Sequence, residues 1–435
     1  MCALCENFNG LTKWAISDII VQKGAETMTQ NLFGNVASFE ENPHYPEHIR
    51  REFPLYERPN EIRSLYDRDY DRILHSLAYR RLKHKTQVFF NIDNDHICTR
   101  MEHVQHVESV SVTISQYLGL NTELTRAIAV GHDLGHTPFG HEGEIELTKI
   151  RQEYGLDKFW HERNSLRMID CIELLEDNQG NYQNLNLTYA VRDGIISHCG
   201  EVDEMGIKPR TEYIDLQEFQ RAGQFQPYTW EGCVVKLSDK IGYLGRDIED
   251  ALRLHFLEQN EIDELRRIGN SFGFPEINVT VLLHAFILSV CEHSTPETSI
   301  HMSEQNTQLL NEIKRFNYKH IYTNPQHEVY RKYVSLILRS IFERLMSCYD
   351  GDKTPENLQK LCRTSPLMGK DMLEHLCRYS ELTIPDFQEE SERCHNRKIY
   401  AHLETEILYV QAILDYISGM TDKYAIKIFN EMITY

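Results

Sequence analysis

The sequence predicts an all-α fold, on three observations. Apolar residues recur at steps of three and four through most of the chain, alternating strand-like runs are scarce, and polar or Gly/Pro-containing breaks separate the periodic stretches. The 435 residues suffice for one large or two to three ordinary domains with a substantial core. Residues 1–60 carry Gly, Asn, Pro and aromatic residues without a sustained period and read as an N-terminal extension. Residues 61–260 read as a helical core, and residues 261–435 as a C-terminal helical region packed on it.

Residues 60–88 place apolar side chains near helical spacing, with basic residues bunched at Arg80, Arg81, Lys83 and Lys85. In the next stretch His103 lies with Val107, Val110 and Ile114 at steps of four, three and four. On a helix it therefore faces inward, where an imidazole needs a partner. A helix over 123–131 ends at His132 and Asp133, and Gly135 and Pro138 break it. Gly140 and His141 open a further helix on which Glu144 shares the face of His141. A buried His, a His-Asp pair and a His-x-x-Glu within so few residues read as an enzyme site.

Leu166, Ile169 and Leu175 predict an amphipathic helix over 165–176, with His161 and Glu162 at its start. Leu187, Val191, Ile195 and His198 recur at helical steps, and His198 reads as a core histidine. Residues 233–256 carry an apolar stripe of Val234, Leu237, Ile241, Leu244, Ile248 and Leu252. Beside it Asp239, Tyr243 and Asp247 form a second line at steps of four, a polar line suited to the edge of a cavity. From 260 onward helices alternate with the polar breaks HSTPETS, DGDKTPEN and TSPLMGK. There is no dinucleotide-binding or P-loop glycine pattern and no internal repeat.

With 41% hydrophobic and 26% charged residues the composition is that of a soluble globular protein. The formal charge of −20 opposes broad electrostatic binding to nucleic acid or to an acidic membrane. A polyanionic substrate would need its own local cations. No apolar run reaches the roughly 18–20 residues that span a bilayer. The start MCALCENFNGLTKW lacks a charged, apolar leader, and the expected location is the cytoplasm. Eleven Cys with one close pair, Cys2 and Cys5, read as reduced thiols.

Taken in order, TRMEH around His103, HDLGHTPFGHEGE from His132, WHERNS from Trp160 and LSDKIGYLGRDIEDA around Asp239 resemble the metal site of the HD superfamily. Within it, DRDYDRILHSLAYRRLKHKTQVF upstream and DYISGMTDKYA near the end are similar to deoxynucleoside triphosphate triphosphohydrolases of the dGTPase type. The resemblance covers residues 60–435 and implies an HD-domain helical core with additional C-terminal helices.

The resemblance further implies that His103, His132, Asp133 and Asp239 bind one divalent metal, with Mn, Fe, Co, Ni, Zn and Mg not distinguished. It places His136, His141, Glu144, His161 and Glu162 around the reaction centre. It assigns Arg100 and Lys240 to phosphates, and Gln87, Tyr243 and Asp247 to the deoxyribose. The implied reaction is hydrolysis of a dNTP to deoxynucleoside and inorganic triphosphate, with His141 oriented by Glu144 as first candidate for proton transfer. A homo-oligomer and regulation by a nucleotide or single-stranded DNA are also implied. Arg246, where many relatives carry a His, and the WHERNS stretch depart from some dGTPases and leave the preferred base open. Another HD-type nucleotidase or phosphodiesterase, or a catalytically silent nucleotide-binding protein, would share the same ligands.

Overall fold

The computed structural model describes residues 31–56, 59–90, 96–200 and 206–434. Several of its helices start where a side chain satisfies the free backbone amides. Helix α1 (Leu65–His75) is capped by Ser64, whose hydroxyl accepts from the Asp67 amide at 3.0 Å. Helix α2 (Arg100–Leu118) opens on a reciprocal capping box between Thr99 and Glu102 and ends at Gly119, whose φ of 80° is left-handed. Asn121 caps α3 (Thr122–Gly131) through the amides of Glu123 and Leu124. The helices α4 (Gly140–Glu153), α5 (His161–Arg167), α6 (Tyr189–Ser197) and α7 (Trp230–Arg253) complete the part that carries the sequence motifs.

The amphipathic helix expected over 165–176 is shorter in the structure. After α5 the chain makes one turn of π-helix at Met168–Ile172 and then a strand, β1 (Leu174–Glu176), paired antiparallel with β2 (Tyr182–Asn184). The reason is local. The Asp177 carboxylate accepts from the amides of Gln179 at 2.8 Å and Asn181 at 2.9 Å, so the DNQGN stretch closes a tight turn instead of continuing the helix. These two strands are the only sheet among the described residues.

Helices α2, α3, α6 and α7 pack around a core of Val104, Val107, Leu124, Ile128, Val191, Ile195 and Val235. Each of these aliphatic side chains contributes roughly 1.5–3 kcal/mol on burial. The opposite side of α2 and α7 meets α8 (Val279–His293) and α9 (Glu304–Asn317) through Ile114, Leu244, Ile248, Phe286 and Ile313. Phe33, which lies in the stretch expected to be an extension, is fully buried in that second core. The rest of the 1–60 stretch up to residue 30, with Cys2 and Cys5, lies outside the described residues.

A third core joins α4 to α10 (His327–Met346), α11 (Pro366–Tyr379), α12 (Glu406–Ser418) and α13 (Asp422–Ile433) through Leu147, Ile150, Ile337, Leu376, Ile413 and Ile428. Two of the expected breaks in this region prove to be helix starts: Pro355 and Pro366 occupy first-turn positions, where a missing N–H costs nothing. Among the described residues, no helix is long and apolar enough to cross a membrane.

Candidate metal centre

The capping box at Thr99 fixes where α2 begins, and three residues in, His103 points into the space between α3 and α7. The end of α3 delivers His132 and Asp133, and the middle of α7 delivers Asp239. His103, His132 and Asp239 converge, with one atom of each within 4.8 Å of the others, and Asp133 adjoins them beside His132. His103 Nε2 lies 3.0 Å from Asp239 Oδ1 and 3.4 Å from His132 Nε2. His132 Nε2 lies 3.6 Å from Asp133 Oδ1 and 3.8 Å from Asp239 Oδ1.

These spacings fit a cation. Metal bonds of about 2.1 Å separate neighbouring ligand atoms by roughly 3.0 Å in an octahedron and 3.4 Å in a tetrahedron. His132 Nδ1 donates to the Ala129 carbonyl at 2.7 Å, which leaves Nε2 as a lone pair aimed at the centre. The 3.4 Å between His103 Nε2 and His132 Nε2 is a spacing that two ligands of one cation adopt. A set of two imidazoles and two carboxylates is a donor set for a divalent ion. Burial lowers the His132 pKa to about 4, so this nitrogen is an acceptor at neutral pH.

A layer of polar groups surrounds the four ligands. Arg100, buried one turn before His103, donates from Nη1 to Asp133 Oδ2 at 2.8 Å. His136 Nε2 lies 3.0 Å from Asp133 Oδ1, and its Nδ1 lies 2.6 Å from Glu144 Oε1. His161 Nδ1 is 3.3 Å from the same Glu144 oxygen, and its ring stacks on that of His136 with centroids 3.8 Å apart. Burial works against charge on His161, but Glu162 and Glu144 outweigh it and raise its pKa to about 10. Burial and the Arg100 guanidinium lower that of His136 to about 4. Glu144, although buried, is held ionised by His161 and His136.

The expected partnership of Glu144 with His141 is the loosest of the three, at 3.7 Å, and the His141 side chain is 72% exposed at the rim. Glu162 is buried beside His161 at 3.6 Å. Lys240 and Tyr243 lie half-buried on α7. Asp247, one turn beyond Tyr243, is buried and accepts from the Tyr322 hydroxyl at 2.5 Å through Oδ2. Among the described residues its buried Oδ1 has no partner, nor do Gln87 Oε1 and Arg100 Nε. Gln87 is held near Arg100 because Thr86 pairs with Thr99 across an antiparallel bridge and Lys85 O accepts from the Arg100 amide at 3.1 Å.

Tertiary contacts explain the other motifs. Gly135 sits so close to α5 that an added Cβ would lie 2.1 Å from the Ser165 nitrogen. Asn164 Nδ2 donates to the Gly135 carbonyl at 2.7 Å, and Ser165 Oγ donates to the His132 carbonyl at 2.8 Å. The WHERNS stretch thus clamps the turn that carries His132 and Asp133. Sequence reasoning gave no role to Lys85, Tyr322 or Asp422, and it placed His198 in the apolar core. The structure instead sets the His198 ring edge-on to His132, with centroids 4.9 Å apart. The HCG triplet that ends α6 was the available signal.

The chain is similar to known proteins along most of its length. The HD domain family model matches residues 100–244. A deoxyguanosinetriphosphate triphosphohydrolase-like protein of Caldanaerobacter subterraneus subsp. tengcongensis is 30% identical over 86% of this chain and 86% of its own. One of Desulfatibacillum aliphaticivorans is 36% identical over 68% of this chain and 77% of its own. One of Clostridium tetani is 30% identical over 87% and 88%. HD domains bind divalent metals, and His103, His132 and Asp239 form a group that could hold one. The chain belongs to the HD-domain family of deoxyguanosinetriphosphate triphosphohydrolase-like proteins, a family of metal-dependent nucleotide phosphohydrolases.

Proposed function

We propose that the protein hydrolyses a deoxynucleoside triphosphate to the deoxynucleoside and inorganic triphosphate. The observation that carries this reading is the set of buried, partnerless polar atoms beside the four ligands: Gln87 Oε1, Arg100 Nε and Asp247 Oδ1. Such atoms are costly unless a ligand meets them. A guanidinium suits a phosphate, and an amide and a carboxyl suit a sugar hydroxyl.

When bound to His103, His132, Asp133 and Asp239, a divalent ion supplies Lewis-acid polarisation of a phosphoryl oxygen and of a water molecule. The protein does the rest. Arg100 and Lys240 offset the triphosphate charge in a chain of net charge −20. Gln87, Tyr243 and Asp247 hold the deoxyribose. His136, held between Asp133 and Glu144, assists proton transfer near the leaving oxygen. His141, exposed at the rim with Nδ1 3.7 Å from Glu144, is the first candidate for proton transfer. The same reading carries a cytoplasmic homo-oligomer that responds to a nucleotide or to single-stranded DNA.

The test is chromatographic identification of products after incubation with each dNTP and rNTP, with and without Mn, beside His132→Ala. Deoxynucleoside plus triphosphate, absent in the variant, is the expected result. Orthophosphate release, or turnover of a cyclic nucleotide alone, would assign the centre to a different HD phosphohydrolase.

A further inference from the structure

Beside the HD centre a second group of donors converges. One atom from each of His161, Glu162, His198 and Cys199 lies within 4.8 Å of the others. Cys199 Sγ is 3.7 Å from His161 Nε2. His161, Glu162 and His198 are buried and Cys199 is partly buried. A zinc ion with Zn–S of about 2.3 Å and Zn–N of about 2.0 Å in tetrahedral geometry sets sulfur and nitrogen roughly 3.5 Å apart.

His198 supplies the independent observation. Its Nδ1 donates to the Ile195 carbonyl at 2.7 Å, so Nε2 carries the lone pair. Among the described residues that Nε2 has no hydrogen-bond partner, in a side chain only 1% exposed. A core histidine would have both nitrogens satisfied. A ring fixed by a backbone carbonyl on one nitrogen and bare on the other is the arrangement of a metal-ligating imidazole. The backbone keeps the thiol in place: Gly200, at φ 122°, turns the chain directly after Cys199, and an added Cβ would lie 2.5 Å from Gly223 Cα.

We propose that His161, Glu162, His198 and Cys199 form a second cation site, built for a thiophilic divalent ion of the zinc class. Its donor set contains a thiolate, whereas the four HD ligands are all nitrogen and oxygen, so the two sites select different ions. His198 also lies within 4.8 Å of His132 and Asp133, so the two sites share a wall. Glu144 contacts the Nδ1 edge of His161 and would orient the ring toward the cation, a carboxylate–histidine–metal arrangement. The site does not depend on which nucleotide the enzyme takes.

The test is cobalt reconstitution of the full-length, metal-stripped protein, read by metal analysis and by absorption. We expect two cobalt ions per chain and a sulfur-to-cobalt charge-transfer band in the near ultraviolet. Cys199→Ser and His198→Gln should each bind one ion fewer and lose the band, while Asp239→Ala should lose an ion and keep it. Asp239→Ala separates the proposal from the HD centre, because Asp239 belongs only to the latter group. A cobalt content and spectrum unchanged by both Cys199→Ser and His198→Gln would overturn the second site.

Discussion

Asp422, near the end of the chain, accepts a hydrogen bond at 2.8 Å from the backbone amide of Phe139, 283 residues earlier. Phe139 has a φ of 66°, a conformation that costs a bulky L-residue free energy and persists only where the surroundings impose it. The other Asp422 oxygen accepts from the amide of Thr86 at 2.9 Å and from its hydroxyl at 2.5 Å. One carboxylate thus ties the turn that launches α4, with His141 and Glu144, to the segment that carries Gln87. Lys85 adds a second tie, donating to the carbonyls of His136 and, at 3.1 Å, of Ser418.

Asp422→Ala leaves two backbone donors without partners in a largely dry site. We expect a loss of about 3 kcal/mol of stability, read as a lower urea midpoint, together with a fall in turnover. An unchanged midpoint would show that the strained turn holds itself.

His132→Ala and Asp239→Ala should each remove the metal bound at the HD centre and reduce turnover at least ~1,000-fold. The far-ultraviolet circular dichroism should stay close to wild type, because the helices are held by apolar cores that neither residue enters. Full activity in either variant would break the ligand assignment.

Glu144→Gln should spare the HD-centre metal and slow the chemical step by ~100-fold or more, since it removes the charge that orients His136 and His161. Metal analysis beside single-turnover rates checks this. Loss of the HD-centre metal in this variant would place Glu144 among the ligands.

Burial pushes the Asp247 pKa up from 3.8 to about 7. The folded protein therefore holds this proton up to about pH 7, whereas the unfolded chain releases it near 3.8. The stability it contributes is complete below pH 3.8 and is lost as the pH rises through about 7. Asp247→Asn, which cannot ionise, should gain on wild type across that window by an amount on the order of a few kcal/mol. Parallel urea titrations at stepped pH test the sign, and a constant difference between the two proteins would refute it.

Much of the centre was legible along single helices. The four-residue steps of His103 with Val107 and of Asp239 with Tyr243 and Asp247 report a face directly, because a helix repeats every 3.6 residues and one side must be apolar. The structure accordingly buries His103 in an apolar stripe and brings it against His132, Asp133 and Asp239. The same periodicity led astray after Arg167, where the chain leaves the helix for a strand. An Asx turn at Asp177 decides that point, and it competes with helix through hydrogen bonds that periodicity does not register.

The sequence by itself determined the helical class, the inward faces and the residue types of a metal site. Tertiary structure alone decided which groups share the second layer. Glu144 lies closer to His136 and His161 than to its helical neighbour His141, His198 is brought together with His161, Glu162 and Cys199, and Asp422 reaches Phe139 and Thr86 from the far end of the chain. The physical reason is the range of the forces that encode each. Hydrophobic periodicity is written locally, whereas the partner of a buried polar atom is whatever donor or acceptor the packing of distant helices brings within about 3 Å.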